Sequence, residues 1–112
     1  MPKRKPAATG GDGAFHVLFR LTAAKPLPKK VVESMRRVLP VFQQQPGFLG
    51  CDFYHSHDRR KIVTHLRWQT KAHHLACQKS ADFSEVSDDW QAVFAAGKVS
   101  VETYTAIETL EA

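Results

Sequence analysis

The chain has 112 residues, 43% of them hydrophobic, and its 16 Lys and Arg against 11 Asp and Glu give a formal charge of +5. That length suits one domain with room for one site. No apolar run approaches the roughly 20 residues of a membrane span, and the basic N-terminus lacks the apolar segment of a signal peptide, so a soluble cytoplasmic protein with no membrane partner is expected.

The charge does not describe a nucleic-acid surface. Lys3, Arg4 and Lys5 against Asp12 carry two of the five charges, and the short runs Arg36-Arg37 and Arg59-Arg60-Lys61 do not alternate with aromatic residues as a base-stacking platform requires. Cys51 and Cys77 are the only cysteines, lack metal-ligand spacing and read as buried free thiols.

Residues 1–13 mix Pro, Gly, Ala, Thr and charge without an apolar period and read as a disordered basic leader; the domain is expected over 14–112. Phe15, Val17, Phe19 and Leu21 then alternate with His16, Leu18, Arg20 and Thr22, which predicts a first strand with one apolar face. Lys25 to Lys29 is a linker whose second proline, Pro28, suits a helix start. The spacing of Val31, Met35, Val38, Leu39 and Phe42 predicts a helix from about Pro28 to Gln45, with Pro40 kinking it or ending its regular part.

Pro46-Gly47 stops that helix, and a second strand is expected from Phe48 to His57 with Leu49, Cys51 and Phe53 on its buried face. Ser56 to Arg59 is turn-like. The next strand, Lys61 to Trp68, places Ile62, Thr64, Leu66 and Trp68 on one face and Val63, His65 and Arg67 on the other, so the two strands form an antiparallel hairpin. Thr70 is the expected N-cap of a short helix ending by Ser80. A second helical piece is expected to be capped by Ser84, buried through Val86, Trp90, Val93 and Phe94, and closed by Gly97. The last strand spans Val99 to Thr109, with Val99, Val101, Thr103, Thr105 and Ile107 on one face.

This β-α-β-β-α-β order predicts an α+β, ferredoxin-like sandwich: a four-stranded antiparallel sheet with helices on one face. The opposite face would carry Leu18, Val63, Tyr54, Tyr104 and Ala106, more apolar surface than a solvated face tolerates. A homodimer packed sheet against sheet is therefore expected.

The chain resembles the antibiotic biosynthesis monooxygenase family of dimeric α+β barrels. The resemblance runs from about Ala14 to Glu108 and is carried by Pro46-Gly47-Phe48, by Ile62-Val-Thr-His-Leu-Arg-Trp68, by Gln69-Thr-Lys-Ala-His-His74 and by Lys79-Ser-Ala-Asp-Phe83. It implies oxidation of a small aromatic, quinol or polyketide-like compound by dioxygen without flavin, metal or other cofactor. The aromatic-oxidising members have an Asn four residues before the strand-three Trp, where this chain has Thr64, and a Tyr six residues after it, where this chain has His74; Trp68 is retained. The haem-degrading branch has its iron-binding His, pocket Trp and strand-one Asn where this chain has Ser87, Cys77 and Phe19.

On that resemblance Trp68 and His74 are the candidate catalytic residues, and Thr64, Phe19 and Phe83 line the site. Trp68 reads first as a core aromatic and, compatibly with that, as a cavity wall whose indole N–H donates to a substrate oxygen. His74, near the first turn of the helix, reads either as a surface histidine or as a base that takes a phenolic or enolic proton near neutral pH, and its neighbour His73 points about 100° away around the helix. His55 and His57 can share a strand face, but no third ligand is near them in the sequence, so no metal is expected. The alternative reading is a non-catalytic dimeric barrel that binds a small hydrophobic ligand or serves as an interaction module.

Overall fold

The computed structural model describes residues 13–112; the leader expected over 1–13 lies outside it except for Gly13. Strand β1 (Phe15–Thr22) is followed by helix α1 (Lys29–Gln43), strands β2 (Phe48–His55) and β3 (Lys61–Trp68), helices α2 (Lys71–Gln78), α3 (Ala81–Ser84) and α4 (Ser87–Ala95), and strand β4 (Lys98–Thr105). The strands form one antiparallel sheet in the order β2-β3-β1-β4, so the two strands with the cleanest apolar alternation lie in the middle. The architecture is α+β and ferredoxin-like, as the element order predicts.

Alternation places the core. Phe15, Val17, Phe19 and Leu21 of β1 and Ile62, Thr64, Leu66 and Trp68 of β3 are buried on one face, where α1 lays Val31, Met35, Val38 and Phe42 over them. Helix α1 runs through Pro40 to Gln43, so the proline does not end it. Pro40 is exposed, and the Arg36 carbonyl that loses an amide partner there can be hydrated.

Five local expectations are corrected. Strand β2 stops at His55 because Ser56 and Asp58 build the turn: the Asp58 carboxylate accepts from Ser56 Oγ (2.6 Å), Arg60 N–H (3.0 Å) and Arg60 Nε (3.1 Å), bonds that hold it well below the usual carboxylate range. A bulge between Phe48 and Gly50 makes Phe48, not Leu49, the partner of Trp68, with Cys51 and Phe53 following on the helix side. Ser84 is not a cap; it ends α3, and its hydroxyl donates back to the Ala81 carbonyl, while Ser80 caps by accepting from Phe83 N–H. Asp88 and Asp89 then occupy the first turn of α4, where the helix dipole favours negative charge. On α4 Val93 is buried, but Phe94 is 46% exposed, and Ile107 lies beyond the end of β4 at 92% exposure.

The outward face is crossed by polar pairs. Arg67 reaches Asp52 at 2.7 Å and Arg20 reaches Glu102 at 3.6 Å. His16 Nδ1 and His65 Nε2 are 2.7 Å apart, and burial, followed by the His16 and Arg67 charges, pushes His65 below the ordinary imidazole range. Leu18 and Val63 are half-buried between these pairs, whereas Tyr54 and Tyr104 are about half exposed. No helix among the described residues is long and apolar enough to cross a membrane.

Gly47 sets the entry to the hairpin. Its φ is +81°, and a Cβ there would overlap the His73 ring on α2. Gly47→Ala therefore combines left-handed strain with a clash and is expected to cost more than about 1 kcal/mol. The measurement is thermal melting by circular dichroism, with an expected fall in Tm of at least about 4 °C. An unchanged Tm would show that the α2 start is free to move away.

Candidate functional site

The end of β3 and the start of α2 form one local unit. Trp68 is followed by Gln69, whose N–H donates to the Gly47 carbonyl (2.8 Å), and by Thr70, whose hydroxyl accepts from His73 N–H (3.2 Å) and caps α2. This two-residue link turns the first turn of α2 back over the strand. His74 then lies against Trp68 and Phe15, with ring centroids 5.9 Å and 5.7 Å apart. His73 instead faces Thr70 and Gly47. The two neighbouring histidines are thus separated as helical geometry demands.

Trp68 is fully enclosed. Phe48 meets it edge-on at 5.3 Å and Phe42 at 6.4 Å, so a ligand reaching its indole N–H has to displace neighbouring side chains. Thr64 lies four residues back along β3, roughly 13 Å away along the strand, and is paired across the sheet with Phe19. Phe19 packs on Trp90 at 5.0 Å, and Phe83 lies 5.6 Å from both Trp90 and Phe42. All five residues singled out in the sequence therefore belong to one aromatic layer between sheet and helices, but not to one point in it. Trp90 joins its two halves. Its spacing with Val86 and Val93 marks it in the sequence only as a core residue.

Three side chains in this layer carry a buried polar atom without a hydrogen-bond partner among the described residues: Trp68 Nε1, Thr64 Oγ1 and His74 Nδ1. Leaving such atoms unpaired costs about 1–3 kcal/mol each. Burial also pushes His74 below the ordinary imidazole range, so it is neutral at neutral pH and one ring nitrogen can accept a proton. The thiols are unsuited to nucleophilic chemistry: Cys51 is pushed up to about 11 by burial and then by Asp52, and Cys77 to about 11 by burial and then by Asp82. No group of three or more His, Cys, Asp or Glu among the described residues is arranged to hold a metal ion.

Residues 14–89, more than two thirds of the chain, match the family model for antibiotic biosynthesis monooxygenase. The chain belongs to the antibiotic biosynthesis monooxygenase family. Its fold is similar to that of SnoaB, a cofactor-independent oxygenase from Streptomyces nogalater: an SnoaB mutant superposes with a TM-score of 0.75 at 19% identity, covering 88% of this chain and 97% of that one. A protein from Shewanella oneidensis aligns with a TM-score of 0.72 at 10% identity, covering 88% and 95% of the two chains. A conserved protein from Methanosarcina mazei aligns with a TM-score of 0.69 at 13% identity, covering 89% and 97%. At these identities the likeness is one of fold. No curated protein matches the sequence.

Proposed function

We propose that this protein is a cofactor-independent monooxygenase of a small phenolic or quinol-type aromatic, with Trp68 and His74 as the catalytic pair and Thr64, Phe19 and Phe83 shaping the site. The observation that carries the reading is the pairing of a neutral, half-buried imidazole with an enclosed tryptophan, each with an interior polar atom left without a partner. A phenol complements that set. Its O–H donates to His74 Nδ1, and an oxygen of the same ring system accepts from Trp68 Nε1. Trp68 and Thr64 have no exposed surface, so a flat ring entering here displaces part of the aromatic layer as it binds.

The chemistry follows from the proton. Once His74 holds the phenolic or enolic proton, the substrate anion transfers one electron to dioxygen, and the resulting pair closes a C–O bond to give a peroxide. For an anthrone, the peroxide loses water and leaves a quinone: one oxygen atom enters the product, the other leaves in water, and the substrate supplies all the electrons. The supply of electrons by the substrate is the reason such a reaction needs no flavin.

A second copy covering the outward face belongs to the same reading. Half-buried Leu18 and Val63, beside half-exposed Tyr54 and Tyr104, form a surface that a twofold partner can cover. Sedimentation at the 12.6 kDa of one chain would refute the dimer. The two free cysteines suit a cytoplasmic setting, where thiols stay reduced.

The test is oxygen uptake by pure protein given a panel of anthrones and hydroquinones, against a variant carrying Trp68→Phe and His74→Ala. Uptake above that variant, with quinone formed in equal amount, is expected. Ligand binding without uptake would establish the alternative, a binding barrel without turnover.

A further inference from the structure

Along the seam between α1 and the edge strand β2, two open grooves meet at Arg36. The larger, about 560 Å³, runs between Leu39, Pro40 and Gln43 of α1 and the Phe48 to Phe53 stretch of β2. The smaller, about 350 Å³, has Leu27, Val32 and Ile62 as its apolar surface and Lys29, Arg59 and His55 at its rim. The seam exists because α1 packs over β1 and β3, leaving the outer strand partly uncovered, and because the Leu49 bulge bends the start of that strand.

The charge in this seam is one-sided. No acidic side chain lines either groove, while Arg36 lines both. Arg20, Arg37, Arg60 and Arg67 each pair with a carboxylate. Among the described residues Arg36 and Arg59 have no such partner. Arg59 is held at φ +62°, a conformation seldom adopted by a non-glycine residue, with its carbonyl accepting from Leu27 N–H at 2.8 Å. Phe48 lines the larger groove and also meets Trp68 edge-on.

We infer that this seam binds the acidic end of an aromatic acid, with the planar body against Leu39, Phe48 and Phe53 and the carboxylate paired with the Arg36 guanidinium. A guanidinium presents paired donors that match the two carboxylate oxygens, and a volume of this size holds a fused-ring body. Phe48 also packs on Trp68, but Trp68 is enclosed and does not line the seam, so the acid site is separate from the proposed Trp68–His74 site.

The experiment is a fluorescence titration with anthraquinone-2-carboxylate and with its neutral carboxamide, two probes already oxidised and therefore not turned over. Wild type is expected to bind the carboxylate about 10-fold more tightly than the carboxamide at low salt, with the difference shrinking as salt screens the exposed arginine. R36Q removes the preference and leaves carboxamide affinity unchanged; R37Q, which alters an arginine already paired with Asp89, leaves the preference intact. Gln43→Trp, which narrows the larger groove, weakens both probes. Equal binding of the two probes by wild type, or an unchanged preference in a folded R36Q, would overturn the inference. No oxygen is consumed in this titration. A lost preference therefore leaves the oxygenase reading standing, and a failure of oxygen uptake leaves the acid site standing.

Discussion

Trp68→Ala is expected to remove about 3–5 kcal/mol of folding free energy, the largest loss available from one side chain in this fold. Trp68 has no exposed surface and packs on Phe42, Phe48 and His74 where β3 passes into α2, so truncation leaves a void that three elements would have to close together. Domains of this size have only about 5–15 kcal/mol in total. The variant should melt at least about 12 °C lower or fail to accumulate folded. Trp68→Phe should cost far less, about 1–2 kcal/mol, because it keeps most of the packing and removes the unpartnered indole N–H. Thermal and urea unfolding of the two variants separate these cases. A Trp68→Ala protein within about 1 kcal/mol of wild type would mean that the ring is not a core element.

His74→Ala is expected to reduce turnover of any accepted phenol by about 100-fold or more, the usual contribution of a positioned general base. Because burial lowers the affinity of this imidazole for a proton, the base form persists to more acidic pH than in a free histidine. The rate should be flat through neutral pH and fall only below the ordinary imidazole value of about 6.5. Stability has the same sign: the unfolded chain takes up this proton before the folded one, so the contribution of neutral His74 is present above about pH 6.5 and declines as the pH falls below it. The pH–rate profile of wild type beside His74→Gln is the check. Loss of the acidic limb in the variant supports the base. An unchanged profile assigns proton removal to another group.

Much of this fold is legible in the sequence because its two central strands are buried on one face only. Phe15 to Leu21 and Ile62 to Trp68 therefore alternate cleanly, and the placement of Thr70 as a cap follows from its position before an apolar helical period. The bulge at Leu49 is not legible, since it arises from how β2 pairs with β3 and a two-residue period cannot record it. Nor is the break between α3 and α4: Ser84, read as a cap, instead ends α3, and Ser80, read as a helix end, caps it. Of the candidate site, the types and spacing of Trp68 and His74 could be read. The unpaired Trp68 Nε1, Thr64 Oγ1 and His74 Nδ1, the bridging place of Trp90 and the unmatched charge of Arg36 depend on neighbours distant in the chain.

The most direct test of the proposed site uses the fact that the chain has only two tryptophans, Trp68 and Trp90. Their indole N–H signals can be resolved in a proton–nitrogen correlation spectrum, with Trp90→Phe giving the assignment, and followed while 1,8-dihydroxyanthraquinone is added. The account predicts that the Trp68 indole signal moves downfield as it gains an acceptor, together with the His74 ring signals. Saturable binding that leaves the Trp68 indole unmoved would contradict it.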